Sequence, residues 1–182
     1  MNVAQLAADE TTSVPVTVFD SRQLSLGTGF LVETAAKLAQ AGSSLPQILG
    51  VLNEQIKRTH VFAALDTLNF LRRCGRMNGV ISSIGELLQI KPIITMVDGQ
   101  SSVERLRTRA HAVKRLLEQV HEYSPFEKLG VIHTDAAGRA QELLHQIKDL
   151  LPGGEIWFEQ INPVLGVHVG PGVVGFACVS SV

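Results

Sequence analysis

The residues best placed to do chemistry lie near the end of the chain, in Gly166-Val167-His168-Val169-Gly170-Pro171-Gly172-Val173-Val174-Gly175. Four glycines and a proline around one histidine predict a tight loop whose backbone can approach a ligand or partner closely. Histidine titrates near neutrality, so His168 is the natural candidate for a general base; the alternative is a polar loop residue bonding to local backbone. Gly170-Pro171-Gly172 has a composition that suits phosphate binding. It precedes a predicted strand rather than opening a helix, however, and so lacks the helix N-terminus on which nucleotide fingerprints depend.

A second group is basic. Arg72, Arg73 and Arg76 crowd around Gly75, and no acidic residue lies between Asp66 and Glu86. The cluster suits an acidic partner surface or a phosphate as well as simple solubility. His60, His111, His121, His133 and His145 have no partner at ligand spacing, and neither CxxC nor a Cys/His cluster occurs, so no metal is expected. Cys74 and Cys178 are far apart in sequence and read as reduced, buried thiols rather than a disulfide framework.

Composition bounds the rest. At 182 residues and 45% hydrophobic, one good core is the default. A formal charge of -1 gives no general attraction to nucleic acid or to an anionic membrane. No apolar run reaches the length of a bilayer span, and the first ten residues lack the pattern of a signal peptide, so a cytoplasmic protein is expected.

The elements that must position these residues follow from periodicity. Residues 3–10 read as the tail of a helix and Val16 to Phe19 as a short buried strand. Phe30, Leu31, Ala35, Leu38 and Ala39 mark a helix from about Gly27 to Ala41, stopped by Gly42; Ser43-Ser44 then caps a second, to about Arg58. His60 to Leu65 reads as a strand, Asp66 to Leu71 as a short helix, and Ile93 to Val97 as a strand closed by Asp98-Gly99. Between them, Asn78 to Gln89 predicts a helix in which Ser82, Ser83 and Gly85 separate Ile81, Ile84 and Leu88; an apolar tunnel for a long-chain ligand would suit that face. Ser101 to Tyr123 is expected to be one long helix, started by a Ser101/Glu104 capping box and basic on one face. The final third alternates: strand Leu129 to His133, helix Ala136 to Leu151, strand Glu155 to Gln160, the glycine loop, and strand Val173 to Val179. Such interleaving predicts an α/β fold, a layered sheet with helices packed on it, with its strand sense left open.

Several segments, in this order, resemble the C-terminal part of the DegV family, fatty-acid-binding proteins that act as the lipid-carrying subunit of bacterial fatty acid kinase. They are Val18-Phe19-Asp20-Ser21-Arg22 with Gly27-x-Gly29, Leu68-x-Phe70-Leu71-Arg72-Arg73-Cys74-Gly75-Arg76, Ile90-Lys91-Pro92-Ile93, Asp98-Gly99, Arg107-Thr108-Arg109 and the glycine stretch around His168. The resemblance implies a binder without its own nucleotide site, hence not an enzyme. It would hold a fatty acid with its tail in an apolar tunnel bordered by Ile81, Ile84 and Leu88. It also implies a lipid headgroup near His168, Arg107 and Arg109, and a surface of Arg73, Arg76 and His168 that docks an ATP-dependent kinase subunit. The family's headgroup-binding Thr/Ser loops lie in an N-terminal domain, so residues 1–15 are expected to be a remnant of that domain and 16–182 the lipid-binding domain. As a fragment of a longer protein or as a natural truncation, such a chain would bind the carboxylate incompletely. Val169 and Cys74 stand where the family usually has threonine and glycine.

Two other classes compete. A stand-alone small-molecule enzyme would use His168, by analogy with dihydroxyacetone kinase, whose substrate domain is similar to that of the DegV family. An oligomerisation or interaction module would self-associate through apolar surface left by a missing domain.

Overall fold

The chain, as a computed structural model, is described over residues 2–75, 90–153 and 156–181. The predicted helix 78–89, with Ile81, Ile84 and Leu88, and Arg76 beside it, lie outside the described residues.

Helix α1 (Asn2–Glu10) is followed by an irregular stretch, and α2 (Ser25–Gln40) and α3 (Leu45–Arg58) then pack against each other. The local chemistry explains the α2–α3 corner. The Gly42 N–H donates to the Ala39 carbonyl and the Ser43 N–H to the Leu38 carbonyl, both at 3.0 Å, which closes α2 in a Schellman motif. The Ser44 N–H then donates to Gln47 Oε1 at 2.8 Å, and Pro46 fills the first turn of α3. Val16 to Phe19, expected as a strand, belongs to no ladder among the described residues, and Val16 is exposed. A short apolar run signals burial only when a neighbour covers it.

The sheet comprises β1 (Thr59–Ala64), β2 (Lys91–Val97), β3 (Gln100–Leu106), β4 (Phe126–His133), β5 (Trp157–Gln160) and β6 (Val174–Ser180), in the order β3-β2-β1-β6-β4-β5. It is mixed: β4 and β5 pair in parallel and every other neighbouring pair is antiparallel. A short helix α4 (Asn69–Arg73) follows β1, α5 (Arg109–Tyr123) follows β3, α6 (Ala137–Gln146) follows β4, and α7 (Pro163–Val169) leads toward β6.

Two elements differ from expectation. Residues 100–106 form β3 rather than the first turns of a long helix. Asp98 and Gly99, both at positive φ (46° and 76°), make the hairpin turn that sends the chain straight back along β2. The helix starts at α5, where Thr108 and not Ser101 caps it, accepting from the His111 N–H at 3.1 Å. Its buried positions are Ala112, Leu116, Gln119 and Val120. The glycine loop is the second difference. Asn162 caps α7, accepting from the Leu165 N–H at 3.0 Å, Pro163 occupies the first turn, and His168 rides in the last turn before Gly170 stops the helix.

Alternation along the strands sorts the core into two layers. Phe62 of β1, Val131 of β4, and Phe176 and Cys178 of β6 face one side, under α5 and α6. Val61, Ala63, Ala177 and Val179 face the other, where Leu26 and Phe30 of α2 cover the part nearest β6 and β4. The two thiols part company across this structure, since Cys74 is exposed and Cys178 buried. Burial pushes the Cys178 thiol up to about 12, although a hydrogen bond with the His60 backbone works the other way. A thiol reagent at mildly alkaline pH should therefore modify Cys74 alone in the native protein, and both cysteines after denaturation, as mass spectrometry of the labelled chain would show.

Candidate functional site

The α2-covered face leaves room. Over β1 to β3 an open cavity of about 570 Å³ lies against the sheet, within the range of small-molecule sites. Its floor is strand: Val61 and Ala63 from β1, Ile94 and Met96 from β2, and Ser101 and Val103 from β3, with Ile132 of β4 at the far side. Its walls come from the link after β1 (Leu65 and Leu68), from α4 (Leu71) and from α7 (Leu165, His168 and Val169). Among the described lining residues only Ser101 and His168 have polar side chains, so the space suits an apolar body with one polar end. Ser101 and Val103 reach this floor because residues 100–106 are extended; a long helix would have removed them from it.

His168 is half-buried, and its Nδ1 is buried without a hydrogen-bond partner among the described residues. Buried in this way, Nδ1 is itself closed to the cavity, so the rest of the half-buried ring is what a ligand's polar group could meet. The backbone next to it is tightly held. Gly170 (φ 80°) and Gly172 (φ 82°) allow the chain to reverse between α7 and β6. A side chain at Gly170 would collide with the Phe70 ring of α4, and one at Gly172 with the Asp66 carboxylate. Helix α4 also reaches α7 through the Cys74 thiol, 3.6 Å from the Val167 carbonyl. Arg72 and Arg73 are thus carried on the helix that packs on the one bearing His168, and Arg73 is exposed.

Arg107 and Arg109 sit elsewhere. Arg107 is exposed between β3 and α5. Arg109, in the first turn of α5, donates to Asp66 Oδ1 at 2.9 Å. Asp66 is a hub: Lys91 Nζ and Arg139 Nη2 each lie 3.6 Å from its carboxylate, and Lys91 also donates to its main-chain carbonyl at 2.8 Å. These groups line a separate cavity of about 120 Å³, and Leu65, the residue before Asp66, borders both spaces. The structure therefore brings His168 to the large cavity and Arg109 to the small one. Neither arginine is among the residues lining His168's cavity.

Partial burial alone would raise the Asp66 carboxyl, but the Arg109 hydrogen bond and the charges of Arg109, Arg139 and Lys91 outweigh it and hold the group below the usual carboxylate range. A depressed carboxylate stabilises the fold above its unfolded value, near 3.9, and that contribution is lost as pH falls through the folded value. Asp66→Asn is accordingly expected to cost about 1–3 kcal/mol at neutral pH. Urea unfolding should show the gap to wild type closing as the pH drops below about 4.

Thr134 escapes a sequence reading. It is buried, and through four hydrogen bonds it ties the end of β4 to the 170–173 turn. The signal was faint, a lone threonine before Asp135. Among the described residues no group of three or more His, Cys, Asp or Glu is placed to hold a metal, and no helix is long and apolar enough to cross a membrane.

Comparison with known proteins agrees with this architecture. A family model described as an uncharacterised protein family, DegV, matches residues 1–181. A DegV domain-containing protein of Clostridium acetobutylicum is 32% identical over 179 residues, covering 96% of this chain and 64% of the relative. Among solved structures, a fatty-acid-binding DegV family protein from Thermus thermophilus is 30% identical with a TM-score of 0.82, over 98% of this chain and 65% of its own. DegV from Bacillus subtilis, a fatty acid binding protein, is 28% identical with a TM-score of 0.83, over 98% and 66%. The chain thus spans just under two thirds of the length of these relatives. With the match running through both faces of the sheet and the turn beyond His168, this chain belongs to the DegV family.

Proposed function

We propose that this chain holds the tail of a long-chain fatty acid in the cavity over β1 to β3, with the carboxylate directed to His168, and that it acts as a binder and not as a catalyst. The observation that carries the reading is the cavity itself: an apolar space of about 570 Å³ on one sheet face, with a half-buried histidine in its wall. Burying each methylene there is worth about 0.8 kcal/mol, so a long tail supplies most of the affinity and the imidazole supplies orientation. The solved relatives described as fatty acid binding proteins support the ligand class.

The same reading extends to a partner. We propose that the α4–α7 surface, with Arg73 and His168, presents the bound carboxylate to a separate ATP-dependent fatty acid kinase, and that Arg76 belongs to that surface. The arginines on α4 give an acidic docking face or an acyl phosphate something to pair with. We also propose Ile81, Ile84 and Leu88 as side chains that border the lipid tail.

Titration of the delipidated chain with a fluorescent fatty acid, followed by displacement with palmitate, tests the binding reading. Saturable binding that palmitate displaces is expected; no binding by the folded chain would overturn it.

A further inference from the structure

We infer that Thr134, backed by Arg139, is the positioning residue that sets where His168 presents its imidazole, an inference that rests on the proposed carboxylate site. Thr134 meets the turn after α7 with every polar group it has. Its hydroxyl donates to the Gly170 carbonyl at 2.6 Å and accepts from the Val173 N–H at 3.0 Å. Its own N–H donates to the Val173 carbonyl at 3.0 Å, and its carbonyl accepts from the Gly172 N–H at 2.7 Å. Arg139 Nη2 donates to a further carbonyl of the turn, that of Gly172, at 2.5 Å.

The consequence for His168 is geometric. Gly170 is two residues beyond it and closes α7, its N–H donating to the Gly166 carbonyl at 2.8 Å. The helix end is therefore fixed from within by Gly166 and from below by Thr134. The buried Nδ1 makes no hydrogen bond among the described residues, so packing and the backbone that carries the imidazole set its position, and a shift of that backbone moves the ring. With 7% of its surface exposed, Thr134 has no water to replace these bonds. Losing the hydroxyl leaves the Gly170 carbonyl one partner short beside two glycines that impose no conformation of their own.

The test separates positioning from packing. Thr134→Val keeps the shape and removes the hydroxyl; Thr134→Ser keeps the hydroxyl. Affinities are measured for palmitate and for hexadecanol, which shares the tail but lacks the carboxylate, and the His168 imidazole is followed by NMR. For Thr134→Val, palmitate is expected to weaken about tenfold, as for a lost hydrogen bond to a charged group, with hexadecanol little changed and the His168 resonances shifted. Thr134→Ser should behave as wild type. An unchanged palmitate preference with unchanged His168 resonances overturns the inference, and so does equal weakening of both ligands. Should Thr134→Val fail to fold, Arg139→Gln takes its place: a selective loss of palmitate is expected, and an unchanged preference overturns the inference. If the wild-type chain binds neither ligand, the proposed function fails instead, and the His168 resonances of the variants alone decide for or against Thr134.

Discussion

Gly175→Ala is expected to lower stability by about 3 kcal/mol, which for a chain of this size is a drop of roughly 6–12 °C in melting temperature by circular dichroism. Gly175 lies within β6, between Ala63 of β1 and Ile132 of β4. A Cβ built there would meet the Phe62 carbonyl at 2.3 Å and Ala63 Cα at 2.5 Å. Both obstacles are backbone of a central strand hydrogen-bonded on each side, so no rotamer change can relieve the contact. Relief requires β1 and β6 to part, which breaks ladder bonds beneath Phe62 and Phe176, two of the fully buried aromatics of the core. An unchanged melting temperature would show that the strands do not approach this closely.

The second large effect concerns the ligand. Filling the cavity floor from Ala63 through the series Val, Phe, Trp should weaken fatty-acid binding progressively, with Ala63→Trp losing at least about tenfold. Ala63 faces the cavity from the middle of the sheet, with Ile94 and Gly175 as its cross-strand neighbours. Each larger side chain there takes space that a tail would fill and removes apolar contacts in proportion. Ala63 borders the cavity, so the added atoms have space to enter, and stability should fall less than in Gly175→Ala. Binding that does not vary along the series would place the tail elsewhere.

Much of this architecture was legible in the residues. Helices α2 and α3 followed from apolar spacing and from Gly42 and Ser44 at their junction, and β1, β2, β4 and β6 from short β-rich runs. The glycine loop and the long helix failed for opposite reasons. In α7 four glycines outweighed Asn162-Pro163, a start signal strong enough to make a short helix that Gly170 then ends. In β3 the strand is at the sheet edge and largely exposed, so its charges imitated a helix stripe, and the Asp98-Gly99 turn before it was the better guide. An apolar tunnel was expected beside Ile81, Ile84 and Leu88, but its floor on β1 to β3 was not legible. Val61, Ile94 and Val103 look like core in sequence, and nothing in their types distinguishes a strand face that borders a cavity from one that is fully packed. Arg109 illustrates the same limit, since its closeness in type to a headgroup ligand says nothing of Asp66, 43 residues earlier, which engages it.

The strand order has a metric consequence. Lining residues come from β3, β2, β1, the residue leading into β6, and β4, five neighbours in the sheet. At roughly 4.8 Å per ladder spacing, the four gaps between them add up to about 19 Å. A tail lying across the strands would meet one row of side chains per spacing, and the sheet would then gauge its length in strands. Octanoate should cover only the first marks and bind far more weakly than palmitate, each uncovered methylene forfeiting about 0.8 kcal/mol.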